Sequence, residues 1–182
     1  MNKIAGFRER SLYEWNPTLW NKTFDQIFKE KLGNDDSWEL RSNNSLEENL
    51  SDDEKRLGWK ISSCRSAHGT FRCGTCRRSW PSARVTLLFH YRLRSEAAQG
   101  TVIMRPFRQA CRGCSGKFLL PEFSTEEVEK VLLKLIRKIK KNCYGEEEED
   151  NSDSFPSEKV RTKPHESSLC EACSQGICCV ED

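Results

Sequence analysis

Apolar residues along the chain form two helical stripes and one strict alternation. Trp20, Phe24, Ile27, Phe28 and Leu32 recur at helical spacing. They predict a helix over residues 17–32, capped by Asn16, with Pro17 in its first turn and Gly33 at its end. Its aromatic face reads as core against a sheet, with a docking face for a partner as the sharper alternative. Residues 82–94 alternate instead. Ala83, Val85, Leu87, Phe89, Tyr91 and Leu93 share one side, and Arg84, Thr86, Leu88, His90, Arg92 and Arg94 share the other. This is a strand with one apolar face and one mostly polar, basic face, on which His90 reads as a surface residue. A loop around residues 97–100 leads to a return strand over 101–107, with Pro106 marking an edge or an end.

The second helical stripe is Val128, Val131, Leu132, Leu135 and Ile139. Ser124 opens this helix, Glu127 completes a capping box, Cys143 near its end reads as a packing residue, and Gly145 ends it. Short strands are expected around Trp38 and over 58–62, with a polar loop over 43–55. Residues 145–157 are acidic and low in complexity, which reads as a linker.

Composition adds a constraint. Hydrophobic residues make up 36% and charged residues 32% of the 182, against about 45–50% and about 25% in an average domain. So small an apolar share calls for a staple, and metal supplies one. The formal net charge of +2 hides basic stretches at 72–112 and 130–141 and acidic ones at 47–54 and 146–150. The basic middle suits a polyanion or an acidic membrane face. No apolar run approaches the ~20 residues of a membrane span. Residues 1–10 show no apolar signal core, so a cytoplasmic chain is expected. Cys179 stands where a prenylated cysteine would, but Glu181 and Asp182 do not suit that signal.

Ten cysteines carry the chemistry. Six form the knuckles Cys73-Gly74-Thr75-Cys76, Cys111-Arg112-Gly113-Cys114 and Cys170-Glu171-Ala172-Cys173. This spacing turns two thiolates toward one tetrahedral cation. A redox dithiol is the competing reading. The order knuckle, strand, turn, strand, knuckle places Cys73, Cys76, Cys111 and Cys114 together at the open end of a hairpin, as in a zinc ribbon. His165, Cys170, Cys173 and Cys178 make a second ligand set, with Cys179 as a substitute for Cys178, so two zinc ions are expected. Cys64 and His68 precede the first knuckle and are further ligand candidates, but they read better as ordinary surface or buried residues. Both sets close with four ligands, whereas catalytic zinc keeps an open position. No nucleophile triad or phosphate-binding glycine loop accompanies them. A non-enzymatic protein without a small-molecule substrate is expected.

The fold expected is therefore α+β. It is a small zinc-stabilised antiparallel sheet, built on a zinc-ribbon-like hairpin, with two flanking amphipathic helices and a zinc-binding C-terminal tail. Residues 1–14 form a tail, 15–144 the core with two knuckles, and 145–164 a flexible acidic linker. The third knuckle at 165–179 belongs to the same zinc-finger domain, and 180–182 are a tail.

These residues resemble the receptor-transporting protein family of 3CxxC-type zinc-finger proteins. The likeness is carried by Gly58-Trp59-Lys60, Phe71-Arg72 with the first knuckle, Arg78-Ser79-Trp80 and the second knuckle. It continues through Pro121-Glu122-Phe123-Ser124, His165, and the third knuckle with Gly176-Ile177-Cys178. The resemblance implies a zinc-bound accessory protein, or chaperone. Such proteins promote targeting and insertion of G-protein-coupled receptors of olfactory and taste type into the plasma membrane. It also implies an alternative, an interferon-induced antiviral protein that binds RNA. Trp20, Phe24 and Phe28 would offer a receptor surface; Arg84, Arg92, Arg94, Arg105 and Arg108 with the lysine-rich helix would offer an RNA surface. Tyr91 and Phe107 are stacking candidates that read better as core. Family members continue to a hydrophobic C-terminal anchor, whereas this sequence stops at Asp182. The expectation here is a cytoplasmic protein associated with the membrane peripherally, through its receptor.

Overall fold

The alternating segment forms the centre of the molecule. A computed structural model describes residues 16–33, 35–114, 118–146 and 167–176. Its elements are α1 (Pro17–Lys31), β1 (Ser37–Ser42), α2 (Asp52–Arg56), β2 (Lys60–Arg72), β3 (Ser79–Arg94), β4 (Gln99–Pro106), β5 (Gln109–Ala110), β6 (Phe118–Leu119), α3 (Thr125–Tyr144) and α4 (Glu171–Ser174). The main sheet has the order β1-β4-β3-β2. β3 pairs antiparallel with both β2 and β4, from Leu87 opposite Pro106 to Arg94 opposite Gln99 in the latter case. β1 joins β4 in parallel. The α+β, ribbon-like reading holds, but the sheet is mixed, because β1 reaches the far edge by a long connection rather than a hairpin. β5 and β6 make a separate two-stranded sheet.

The first helix follows from its caps. The Asn16 side chain accepts from the Thr18 and Leu19 amides at 3.1 and 3.2 Å. The aromatic stripe then faces inward: Trp20, Phe24 and Phe28 are 2%, 0% and 5% exposed. Phe24 and Phe28 stack at 3.8 Å, and Trp20 meets Phe123 edge-on at 5.3 Å. Burying each such ring is worth roughly 1.5–3 kcal/mol. The face is core, so the docking-face reading of α1 is corrected.

α3 shares that core through Val128, Val131, Leu132, Leu135, Ile136 and Ile139, with Val85, Leu87, Phe89 and Tyr91 of β3 and Val102 and Met104 of β4. Ser124 caps α3, its Oγ accepting from the Glu127 amide at 3.2 Å. The predicted capping box needed the Glu127 carboxylate as its other half. That carboxylate instead accepts the His68 amide at 2.9 Å, tying the helix to β2. Gly145 ends α3 in the left-handed region, with φ +64°.

The other face of β3 is not a polar surface. Thr86, Leu88 and His90 are all buried. Leu88 packs there with Phe107, Leu46 from the segment before α2, and Cys170 and Ala172 of the third knuckle, while His90 lies beside Glu47 and Glu54. The expected 43–55 loop also contains α2, opened by a reciprocal capping box between Ser51 and Glu54. No helix among the described residues is long and apolar enough to cross a membrane.

Candidate metal centre

The first knuckle is the turn that sends β2 into β3. Arg72 is still paired with Ser79 across the strands. The Cys73 amide donates to the Arg78 carbonyl at 2.8 Å, and the Arg77 amide donates to the Cys73 carbonyl at 2.9 Å. Arg77 takes φ +60°, left-handed backbone that the tight reversal requires.

The second knuckle is delivered by the chain beyond β4. The Phe107 amide donates to the Thr86 carbonyl at 3.0 Å, so the chain keeps running beside β3. Gln109 then bridges two β3 side chains: its Nε2 donates to Ser82 Oγ at 3.0 Å, and its Oε1 accepts from Trp80 Nε1 at 3.2 Å. Cys111 and Cys114 follow at the end where Cys73 and Cys76 sit.

The four cysteine sulfurs lie within 4.8 Å of one another. Cys76 and Cys111 Sγ are 3.6 Å apart. A tetrahedral zinc with Zn–S of about 2.3 Å spaces its sulfurs by about 3.8 Å, so the cluster has the size of such a site. Cys73 and Cys111 are buried, Cys114 is half-buried and Cys76 is exposed. The amides of Cys76 and Thr75 point at the Cys73 sulfur and, with the neighbouring thiols, bring its pKa down to about 6. Cys114, hydrogen-bonded to Cys76 and Cys73 and beside their charge, is pushed up to about 12. One thiolate forms readily and the next is opposed by it, which is the condition a divalent cation relieves by displacing the remaining protons.

Not every sequence candidate joins this cluster. Cys64 and Cys143 pack at the margin of the main core, and burial raises the Cys143 pKa. His68 is half-buried in β2. His90, expected at the surface, is 2% exposed. Of the second ligand set, Cys170 is buried and Cys173 half-buried, while His165 and Cys178 lie outside the described residues.

Sequence reasoning missed how the third knuckle is held. It docks on β5 and the residue before it: Gln109 and Cys170 form an antiparallel bridge, and the Glu171 amide donates to the Arg108 carbonyl at 3.0 Å. Glu171 Oε1 accepts the Arg108 amide at 3.1 Å, and its Oε2 accepts Arg108 Nε at 3.0 Å and also Arg108 Nη2. Arg105 Nη2 lies 3.7 Å from the same Oε2. Burial alone raises the Glu171 pKa, but the Arg108 hydrogen bonds and both guanidinium charges outweigh it and hold the carboxyl below its usual range. Two of the five arginines read as an RNA surface are therefore committed internally, and Arg105 is only 6% exposed. The sequence shows only a Glu inside the third CxxC, and nothing in its spacing named Arg105 or Arg108.

A family model described as a zinc-binding domain, the 3CxxC zinc ribbon, matches residues 66–176. The chain is 35% identical to human Receptor-transporting protein 4 over 87% of its own length and 63% of that protein's. It is likewise 35% identical to mouse Receptor-transporting protein 4, over 86% of this chain and 62% of the relative. With mouse Receptor-transporting protein 2 the identity is 35%, covering 87% and 69% of the two chains. The chain thus spans a little under two thirds of the first two relatives. No solved structure matches it.

Proposed function

This chain belongs to the receptor-transporting protein family, and on that premise we propose that it is a zinc-stabilised accessory protein. In this reading it binds G-protein-coupled receptors of olfactory or taste type and promotes their targeting to the plasma membrane. The single observation that carries the mechanism is the closed cluster of Cys73, Cys76, Cys111 and Cys114. Four thiolates fill the coordination sphere of zinc, leaving no position for substrate or activated water. Metal then acts as a structural cross-link between the β2–β3 turn and the chain after β4. The protein works through its surfaces and not through a reaction. His165, Cys170, Cys173 and Cys178 are assigned to a second zinc. The protein is placed in the cytoplasm, at the membrane through its receptor. RNA binding is the weaker reading, because Arg105 and Arg108 are held by Glu171.

Co-expression with a panel of chemosensory receptors tests the role. Surface receptor should rise with the wild-type chain and not with Cys73→Ala at equal expression. Unchanged surface levels across the panel would remove the trafficking reading.

A further inference from the structure

Among the described residues, the buried polar side-chain atoms without a hydrogen-bond partner are Thr86 Oγ1, His90 Nε2 and Arg105 Nε. All three lie on one face of the sheet. Thr86 and His90 alternate with the main-core residues of β3, and Arg105 is paired with Leu88 between them. The opposite face is a broad apolar core; this one is a small cluster sealed by Leu46, Cys170 and Ala172. Orphaned polar atoms make the seal costly to keep, because each has given up its hydrogen bonds to water without gaining a partner. This layer is thus the smaller of the two and, among the described residues, the one that carries the unsatisfied groups.

Arg105 is the hub of that layer. Its guanidinium sits 4.3 Å from the Phe107 ring centre. Its Nη1 donates to the Leu46 carbonyl at 2.8 Å and to Gln175 Oε1 at 3.4 Å. With Arg108 it encloses the one carboxylate of Glu171. Guanidinium forks match carboxylates in shape and charge. The rest of the docking is backbone: the Gln109–Cys170 bridge and the Glu171 amide on the Arg108 carbonyl. Such strand-edge pairing is indifferent to sequence, so another peptide can reproduce it.

We propose that Arg105, Arg108 and the Gln109 backbone form a carboxylate-peptide docking face, occupied in cis by Glu171. Lifting the third knuckle opens it to an acidic segment of a partner protein. A partner of this kind needs one Glu or Asp beside a small apolar residue that replaces Ala172 over Phe107. A nucleic acid brings phosphate to the fork but no backbone to pair with Gln109, which favours a peptide. The fork exchanges carboxylates whatever receptor the protein serves, so its test does not depend on the trafficking role.

The test uses the full zinc-loaded chain and a fluorescent peptide copying residues 167–176, with serine in place of both cysteines, followed by anisotropy. Glu171→Ala should bind this peptide about tenfold or more tighter than wild type, a gain of about 1.4 kcal/mol. Adding Arg108→Ala should abolish binding, as should Gln in place of the peptide's Glu. Hydrogen exchange in Glu171→Ala should quicken in 44–46 and 170–175 while β2, β3 and α3 keep wild-type protection. Equal binding to both proteins, or none to either, overturns the assignment. So does loss of protection throughout the sheet, since Glu171 would then belong to the main core. Displacement of the peptide by a single-stranded oligonucleotide at lower concentration than by unlabelled peptide would make the fork a phosphate site and overturn it too.

Discussion

Trp38 and Gly100 face each other across the parallel β1–β4 pair, with the indole so close that a Cβ at Gly100 would lie 2.1 Å from the ring. The indole Nε1 donates to the Tyr144 hydroxyl at 3.1 Å, and that hydroxyl donates to Asp36 Oδ2 at 2.6 Å. One contact thus locks β1, β4 and the end of α3 together. Gly100→Ala forces the indole off its seat. The expected cost is about 1–3 kcal/mol, as for overpacked cores. Urea unfolding should show a lower midpoint at unchanged slope. An unchanged midpoint would mean that β1 detaches freely.

The same pair shows where sequence reading stops. The caps Asn16 and Ser124 and the stripes behind them are local signals, and both helices form where those signals lie. The four-cysteine cluster was also legible, because a hairpin must bring its two open ends together. The parallel partner of β1 was not, since alternation tells which way side chains point and not which strand lies alongside. Nor was the second face of β3. Thr86, Leu88 and His90 read as mostly polar because their cover, Leu46 and Ala172, sits in segments with no periodicity. Arg105 and Arg108 read as surface charge because their partner, Glu171, is remote in sequence.

Zinc content separates the two ligand sets. Native mass spectrometry of the wild-type chain should find two zinc ions. Cys111→Ser should leave one and should also melt the junction between β3 and the second knuckle. Loss of structural zinc forfeits a binding energy of about 10 kcal/mol that is itself folding energy. Cys178→Ser should likewise leave one zinc but spare the four-cysteine cluster, with β2 and β3 still protected from exchange. A wild-type chain that carries a single zinc would return His165, Cys170, Cys173 and Cys178 to the unassigned residues.

The α1 face offers a direct choice between core and interface. Phe24 is fully buried and stacked on Phe28. Phe24→Ala should therefore destabilise the protein by about 3–5 kcal/mol. On the trafficking role proposed above, receptor delivery should fall only in proportion to the folded fraction. The check is thermal unfolding beside the surface-expression assay. A stable variant that fails to deliver receptor would restore the docking role of α1.

His90 gives the fold a pH dependence whose direction follows from its surroundings. Burial lowers its pKa below the ordinary 6.5, with the Glu54 charge and a hydrogen bond to the Glu47 backbone acting the other way. The folded imidazole therefore takes up its proton at lower pH than the unfolded one. The unfolded chain then binds more protons than the native one, so stability rises with pH through this window. The contribution is whole above 6.5 and is lost as the pH falls from there through the lower folded value. His90→Leu removes the titrating group and the unpartnered Nε2 together. Wild type should lose more stability than His90→Leu between pH 7.5 and pH 5.5 in urea unfolding. Zinc release at low pH affects both proteins, so the difference between them is the quantity to read. Equal losses would mean that His90 is protonated in the native state, with Glu54 prevailing over burial.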